Sequence, residues 1–115
     1  VNRGLPAGTT EPDEDPERAA ARELREETGY EADALAHLTT VEPANGFSDA
    51  LFHYYVARGC RPTAEQDLDD DETIEVTTAT LGDLLDRARE DDLRDGRTAF
   101  GVVYYALFER GDHGA

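Results

Sequence analysis

Residues 8–30 read GTTEPDEDPERAAARELREETGY. Asp15 suits a helix N-cap, because its carboxylate can accept from N–H groups that the first turn leaves without partners. Pro16 suits the first helical position, where its set φ matches the helix and its missing N–H is not needed. Glu17 falls near the positive end of the helix dipole. Ala19, Ala20, Ala21 and Leu24 supply high helix propensity and a small apolar face. Gly29 closes the segment as a C-terminal cap. The stretch therefore predicts a helix over 16–28. On it, Glu23, Glu26 and Glu27 stand three and four residues apart, so three carboxylates share one face.

Clustered like charges destabilise a helix unless something neutralises them. A divalent cation does so, and hard oxygen ligands suit Mg²⁺ or Mn²⁺. Mg²⁺ takes only one or two carboxylates and keeps waters and substrate phosphates as its other ligands. Arg22 is spaced to pair with Glu26 along the helix, and a guanidinium fork can hold a carboxylate in place. The plain alternative is a solvated acidic face in a chain rich in acids.

Taken together, Gly8, Glu14, Arg22-Glu23-Leu24, Glu26-Glu27 and Gly29-Tyr30 resemble the Nudix box, the signature of hydrolases that split a nucleoside diphosphate linked to another moiety. Outer segments extend the resemblance to the ADP-ribose pyrophosphatase subfamily. Leu5-Pro6-Ala7-Gly8 is similar to its LPAG lead-in, and Asn45-Gly46-Phe47-Ser48-Asp49 to its PGFSDE segment. Asp71-Glu72-Thr73-Ile74-Glu75-Val76 resembles DEDIEV, and Asp95-Gly96-Arg97-Thr98 resembles DAKT.

The resemblance implies an α/β Nudix fold: a mixed sheet sandwiched between helices, with the box forming loop–helix–loop. It implies Glu23 and Glu27 as leading metal ligands, Glu26 as a third ligand or water activator, and the carbonyl of Ala7 as a further ligand. Arg22 and Glu14 become an orienting network, Gly8 and Gly29 structural positions of the box, and Glu72 the catalytic base. The implied reaction is Mg²⁺- or Mn²⁺-dependent cleavage of ADP-ribose to AMP and ribose 5-phosphate. Nucleoside triphosphates, other nucleoside diphosphate sugars, or a non-catalytic nucleotide-binding role are the alternatives. The chain departs from the subfamily in three places. Asn45 stands at the marker proline, and Ala50 stands where an acid closes PGFSDE. The segment before the box, which supplies extra strands, adenine contacts and much of the dimer interface, is nearly absent. The expected sheet lacks N-terminal strands on that account, adenine recognition and the family's dimer are not carried over, and a homodimer stands only as a candidate assembly.

The chain has 115 residues, which predicts one domain over 1–115 with a modest core. It begins at Val1 and contains no methionine, which reads as a truncated or processed chain. Its formal charge is -16, from 27 acidic and 11 basic residues, and every basic residue is arginine. Such a field repels nucleic acid and anionic membranes and leaves a small nucleotide as the expected partner. Dense acids without lysine resemble the protein style of extreme halophiles. One cysteine, Cys60, excludes an internal disulfide and fits a reducing cytoplasm. No apolar run reaches membrane-spanning length.

Pro6 biases Leu5 towards an extended backbone. Strands are expected over 33–43 and, from the run ALFHYYVA, over 50–57. A turn over Pro43–Gly46 separates them. A long acidic loop over 59–71 precedes a short strand from Ile74 to Thr78. Thr80 caps a helix to about Glu90, with Leu81, Leu84, Leu85 and Ala88 on one face. A final helix over 98–109 is apolar almost all round and is expected to be buried. Strands alternating with helices give a mixed α/β layer structure. His37, His53 and His113 are scattered without zinc spacing and read as core or surface residues. Tyr54, Tyr55, Tyr104 and Tyr105 read as core. Ser48 has no nucleophile setting, and Asp67–Glu72 reads by default as a solvated loop, with a second cation site as the alternative.

Overall fold

A computed structural model of the chain describes residues 4–8, 13–42, 51–70 and 72–109. The elements are α1 (Pro16–Thr28), β1 (Ala34–Val41), β2 (Phe52–Arg58), α2 (Leu81–Arg89) and α3 (Gly96–Phe108). The Pro43–Gly46 turn, the Asn45–Asp49 segment, Asp71 and His113 lie outside the described residues. The chain divides into two units, Pro6–Val76 and Val1–Leu5 together with Thr77–Ala115.

In the first unit, α1 begins as its sequence dictates. The Asp15 carboxylate accepts from the Arg18 N–H at 2.9 Å, and Pro16 opens the first turn. The helix ends at Gly29, whose φ of 77° lets its N–H return to the Arg25 carbonyl at 2.8 Å. This is the left-handed cap that only glycine adopts without steric cost. α1 packs against both strands of an antiparallel pair, β1–β2. The register runs Ala34↔Arg58 to Val41↔Phe52, with an irregularity between His37 and Thr39 that leaves Leu38 without a partner. A bulge of this kind shifts the alternation of side chains by one residue.

The α/β class and the order of the elements follow the sequence reading, and the sheet among the described residues is this antiparallel pair. The strand expected from Ile74 to Thr78 does not form; residues 72–80 have no regular structure. A strand needs a ladder partner, and β1–β2 offers this segment none among the described residues. Ile74 instead gives its carbonyl to the side chain of Gln66 at 3.1 Å.

In the second unit, Thr80 caps α2 by accepting from the Asp83 N–H at 3.0 Å. α2 packs on α3. Thr98 is buried near the start of α3; its hydroxyl donates to Asp95 Oδ2 at 2.7 Å and accepts from the Leu5 N–H at 3.2 Å. α3 is not buried all round as expected. Gly101 and Val102 are buried, whereas Leu107 and Phe108 are 57% and 55% exposed. A single partner helix covers one stripe of an apolar helix and leaves the others open. Phe100, Tyr104 and Phe108 stack along it, with ring centroids 5.6 and 4.8 Å apart. The tyrosines read as core, Tyr54, Tyr55, Tyr104 and Tyr105, are only partly buried. No helix among the described residues is long and apolar enough to cross a membrane.

Candidate functional site

The carboxylate face of α1 is held by one guanidinium. Arg22 donates through Nε to Glu14 Oε2 at 2.9 Å and through Nη2 to Glu14 Oε1 at 3.0 Å, a two-pronged bond. Its Nη1 donates to Glu23 Oε1 at 2.9 Å and to Glu26 Oε1 at 3.1 Å. The pairing of Arg22 with Glu26 is the one the i, i+4 spacing predicts, while Glu14 comes from the loop before the helix. These side chains are not a solvated face: Glu23 and Glu26 are 18% and 27% exposed.

The lead-in segment crosses the same face. The Ala7 N–H donates to Glu27 Oε1 at 2.9 Å. Gly8 lies so close to Glu23 that a Cβ at this position would collide with the Glu23 carboxylate. A side chain at this position would displace the Glu23 carboxylate from its place, so glycine lets the backbone pass over that carboxylate undisturbed.

The acidic loop closes the other side, and backbone bonds hold it there. The last carbonyls of a helix lack partners within it. Asp67 N–H donates to the Glu26 carbonyl at 2.7 Å, and Gln66 Nε2 to the Glu27 carbonyl at 2.7 Å. Ala64 N–H donates to the Gly29 carbonyl at 3.0 Å. The loop thus docks on the C-terminal turn of α1 and carries Glu72 with it. Glu72 folds back on the loop, its Oε1 accepting from the Asp69 N–H at 2.9 Å.

The result is a cleft of about 490 Å³ lined by Ala7, Gly8, Arg22, Glu23, Glu26, Glu27, Asp67, Asp69 and Glu72. Every residue named from the sequence for ligation or catalysis lines it, and Glu14 reaches it through Arg22. Gly29 sits behind it, holding the loop. Asp67 and Asp69, read from sequence as solvated charge, also face the cleft. Gln66 was missed altogether; its role depends on where two distant carbonyls fall, which no local pattern reveals.

Charge in the cleft is unbalanced. Burial raises the pKa of Glu23, opposed by Arg22 and reinforced by the charges of Glu26 and Glu72. Burial also raises that of Glu27, opposed by the Ala7 N–H and reinforced by Glu23, Glu72 and Glu26. Desolvation and like charges both disfavour the ionised form. A hard divalent cation removes both penalties, so the donor set fits Mg²⁺ or Mn²⁺. In the geometry present, no group of three or more His, Cys, Asp or Glu side chains among the described residues is arranged around a common metal position. The carboxylates turn to Arg22 and the Ala7 N–H instead.

Comparison with known proteins gives the site a setting. The family model described as NUDIX domain matches residues 2–98. The chain is 39% identical over 106 residues to the ADP-ribose pyrophosphatase of Bacillus subtilis (strain 168), covering 91% of this chain and 57% of that one. It is 37% identical over 110 residues to the methanol dehydrogenase activator of Bacillus methanolicus, covering 95% and 60%. It is 30% identical over 100 residues to a GDP-mannose pyrophosphatase of Salmonella arizonae, covering 85% and 52%. The chain therefore spans only part of the length of these relatives. Among solved structures, an ADP compounds hydrolase superposes with a TM-score of 0.82 at 24% identity, covering 96% of this chain and 60% of that one.

Proposed function

Since the chain belongs to the NUDIX domain family, we propose that it is a divalent-cation-dependent hydrolase that cleaves ADP-ribose to AMP and ribose 5-phosphate. The observation that carries this reading is the cleft in which Arg22 gathers Glu14, Glu23 and Glu26 beside Glu27. In this reading Glu23, Glu26 and Glu27, with the carbonyl of Ala7, hold Mg²⁺ or Mn²⁺. Bound there, the cation screens the diphosphate charge and acidifies a water. Arg22 keeps the acids in position, and Glu14 fixes Arg22. The water oxygen attacks one phosphorus, the bridging P–O bond breaks, and the oxygen of the departing phosphate takes the electron pair. Glu72 accepts the water's proton, or Glu26 does so as the water activator. The docking of its loop on α1, with Glu72 among the residues lining the cleft, supports Glu72 as the base.

The likeness to the Bacillus subtilis ADP-ribose pyrophosphatase supports the substrate. The GDP-mannose pyrophosphatase relative supports a second reading, hydrolysis of another nucleoside diphosphate sugar. Both rest on one domain over residues 1–115, acting on a small nucleotide in a cytoplasmic setting. A homodimer belongs to the same proposal and is tested by sedimentation.

The decisive experiment incubates purified protein with ADP-ribose and Mg²⁺ or Mn²⁺ and measures AMP. Release of AMP is expected, and Glu26→Gln or Glu27→Gln should lower it by about 10²–10⁴-fold with an unchanged circular dichroism spectrum. No AMP from ADP-ribose, with turnover of GDP-mannose, would transfer the proposal to the second reading. Unchanged rates in both variants would remove the site assignment.

A further inference from the structure

The two histidines of the β1–β2 pair are sixteen positions apart in sequence, yet one hydroxyl joins them. Thr40 Oγ1 lies 2.8 Å from His37 Nε2 and 3.0 Å from His53 Nδ1. The bulge makes this meeting possible. Residues three apart on a regular strand point to opposite faces. The unpaired Leu38 shifts the alternation, so His37 comes round to the side of Thr40 and its cross-strand partner His53.

We propose that His37 and His53 form a two-histidine site for a borderline divalent transition cation, Zn²⁺, Ni²⁺ or Cu²⁺, seated where the Thr40 hydroxyl now bridges the rings. The class of ligand follows from the donors. Neutral imidazole is a preferred ligand of these ions and a poor one for Mg²⁺, so the site is chemically distinct from the carboxylate cleft. Both ring nitrogens face a common point. Metal–nitrogen bonds of about 2.0–2.1 Å require each ring to close by roughly 1 Å on that point, with the hydroxyl turned aside. The hydroxyl carries one proton, so at most one imidazole nitrogen accepts from it, and the other donates its own N–H. Cation binding then needs only a shift of that proton to the ring's other nitrogen, with no net release.

The surroundings favour a cation. His37, Thr40 and His53 are exposed, which leaves the remaining coordination positions to water. The His37 ring is oriented by an edge contact with Tyr55, with centroids 5.6 Å apart and planes at 74°. Burial, and then the carboxylates of Glu17 and Asp15, push the Tyr55 phenol above its ordinary value, and those same carboxylates place negative charge near the His37–Tyr55 contact.

The test titrates Zn²⁺ into the protein in excess Mg²⁺, which occupies carboxylate sites, and follows imidazole proton resonances and binding heat. The expected result is a step at one equivalent that moves the His37 and His53 signals together in the unaltered protein. The affinity should fall by about 100-fold in His37→Gln and in His53→Gln, because each loses the second tethered donor. It should be kept in His113→Gln and in Thr40→Ala, where no hydroxyl competes for the rings. Zn²⁺ that leaves both resonances unmoved in the unaltered protein would overturn the site. So would an affinity in His37→Gln and His53→Gln equal to that of the unaltered protein, or a loss in Thr40→Ala as large as the one expected of those variants.

Discussion

Arg22 and Glu14 are joined by two parallel bonds, Nε to Oε2 at 2.9 Å and Nη2 to Oε1 at 3.0 Å, and the same guanidinium's Nη1 reaches Glu23 and Glu26. One planar fork therefore joins the loop before α1 to two carboxylates about one turn apart on the helix. A lysine ammonium cannot reproduce that geometry. On the proposed function, Arg22→Lys is expected to lower turnover of ADP-ribose or affinity for Mg²⁺ by about 10–100-fold, as loss of a group that orients ligands does. Turnover measured across a Mg²⁺ series checks this, and rates equal to those of the unaltered protein would show that the fork is dispensable.

The two glycines of the box fail in different ways when enlarged. At Gly8 the obstacle is the mobile end of Glu23, which can swing aside. Gly8→Ala should therefore lose activity with little change in melting temperature. At Gly29 the backbone is left-handed, and an added Cβ would lie 2.5 Å from the carbonyl oxygen of Ala64. Gly29→Ala should cost about 1–2 kcal/mol or more from the backbone conformation alone. Thermal unfolding of the two variants beside their turnover separates the effects.

Gln66 ties the acidic loop to the helix through the carbonyls of Glu27 and Ile74. Gln66→Ala releases both. If Glu72 is the base, turnover falls while Mg²⁺ half-saturation stays put, since Gln66 meets Glu27 at its backbone carbonyl and not at the carboxylate proposed as ligand. A changed Mg²⁺ dependence with unchanged maximal rate would reverse that assignment.

The Thr98 hydroxyl, and then the Arg97 guanidinium, hold the Asp95 carboxyl below the usual carboxylate range. A depressed carboxylate adds stability above its unfolded value of 3.8, and that stability is lost as pH falls through the folded value. Asp95→Asn should flatten the acid limb of the stability profile below about pH 4. Thr98→Val removes the donor and the acceptor for the Leu5 N–H, and should cost about 1 kcal/mol at neutral pH. Urea unfolding between pH 3 and pH 7 reads both.

A charge of -16 on 115 residues strains the folded state by self-repulsion. Added KCl screens it, so the melting temperature is expected to rise from low to molar KCl, by about 4–8 °C for each kcal/mol gained. A flat or falling curve would end the halophilic reading.

Much of the cleft was legible because its information is local. Helical spacing placed Glu23, Glu26 and Glu27 on one face, Asp15 and Gly29 set the ends of α1, and the acids of the box carried the family resemblance. Elements whose stability comes from distant partners were less legible. Ile74 and Val76 have the alternation of a strand, but alternation does not supply a neighbouring ladder. The apolar α3 implied burial, but hydrophobicity does not state how many surfaces will cover it.

The chain's own order thus determined the helix, its caps and the clustering of three acids, since each depends on residues within one or two turns. Only the tertiary structure decided what meets that face: Glu14 through Arg22, Ala7 and Gly8 from the lead-in, and the loop of Asp67, Asp69 and Glu72 docked by Gln66. It also decided that His37 and His53 share the Thr40 hydroxyl, because that depends on strand register and a single bulged residue. Hydrogen bonds between segments far apart in sequence depend on where the backbone carries each group, and spacing along the chain does not encode that distance.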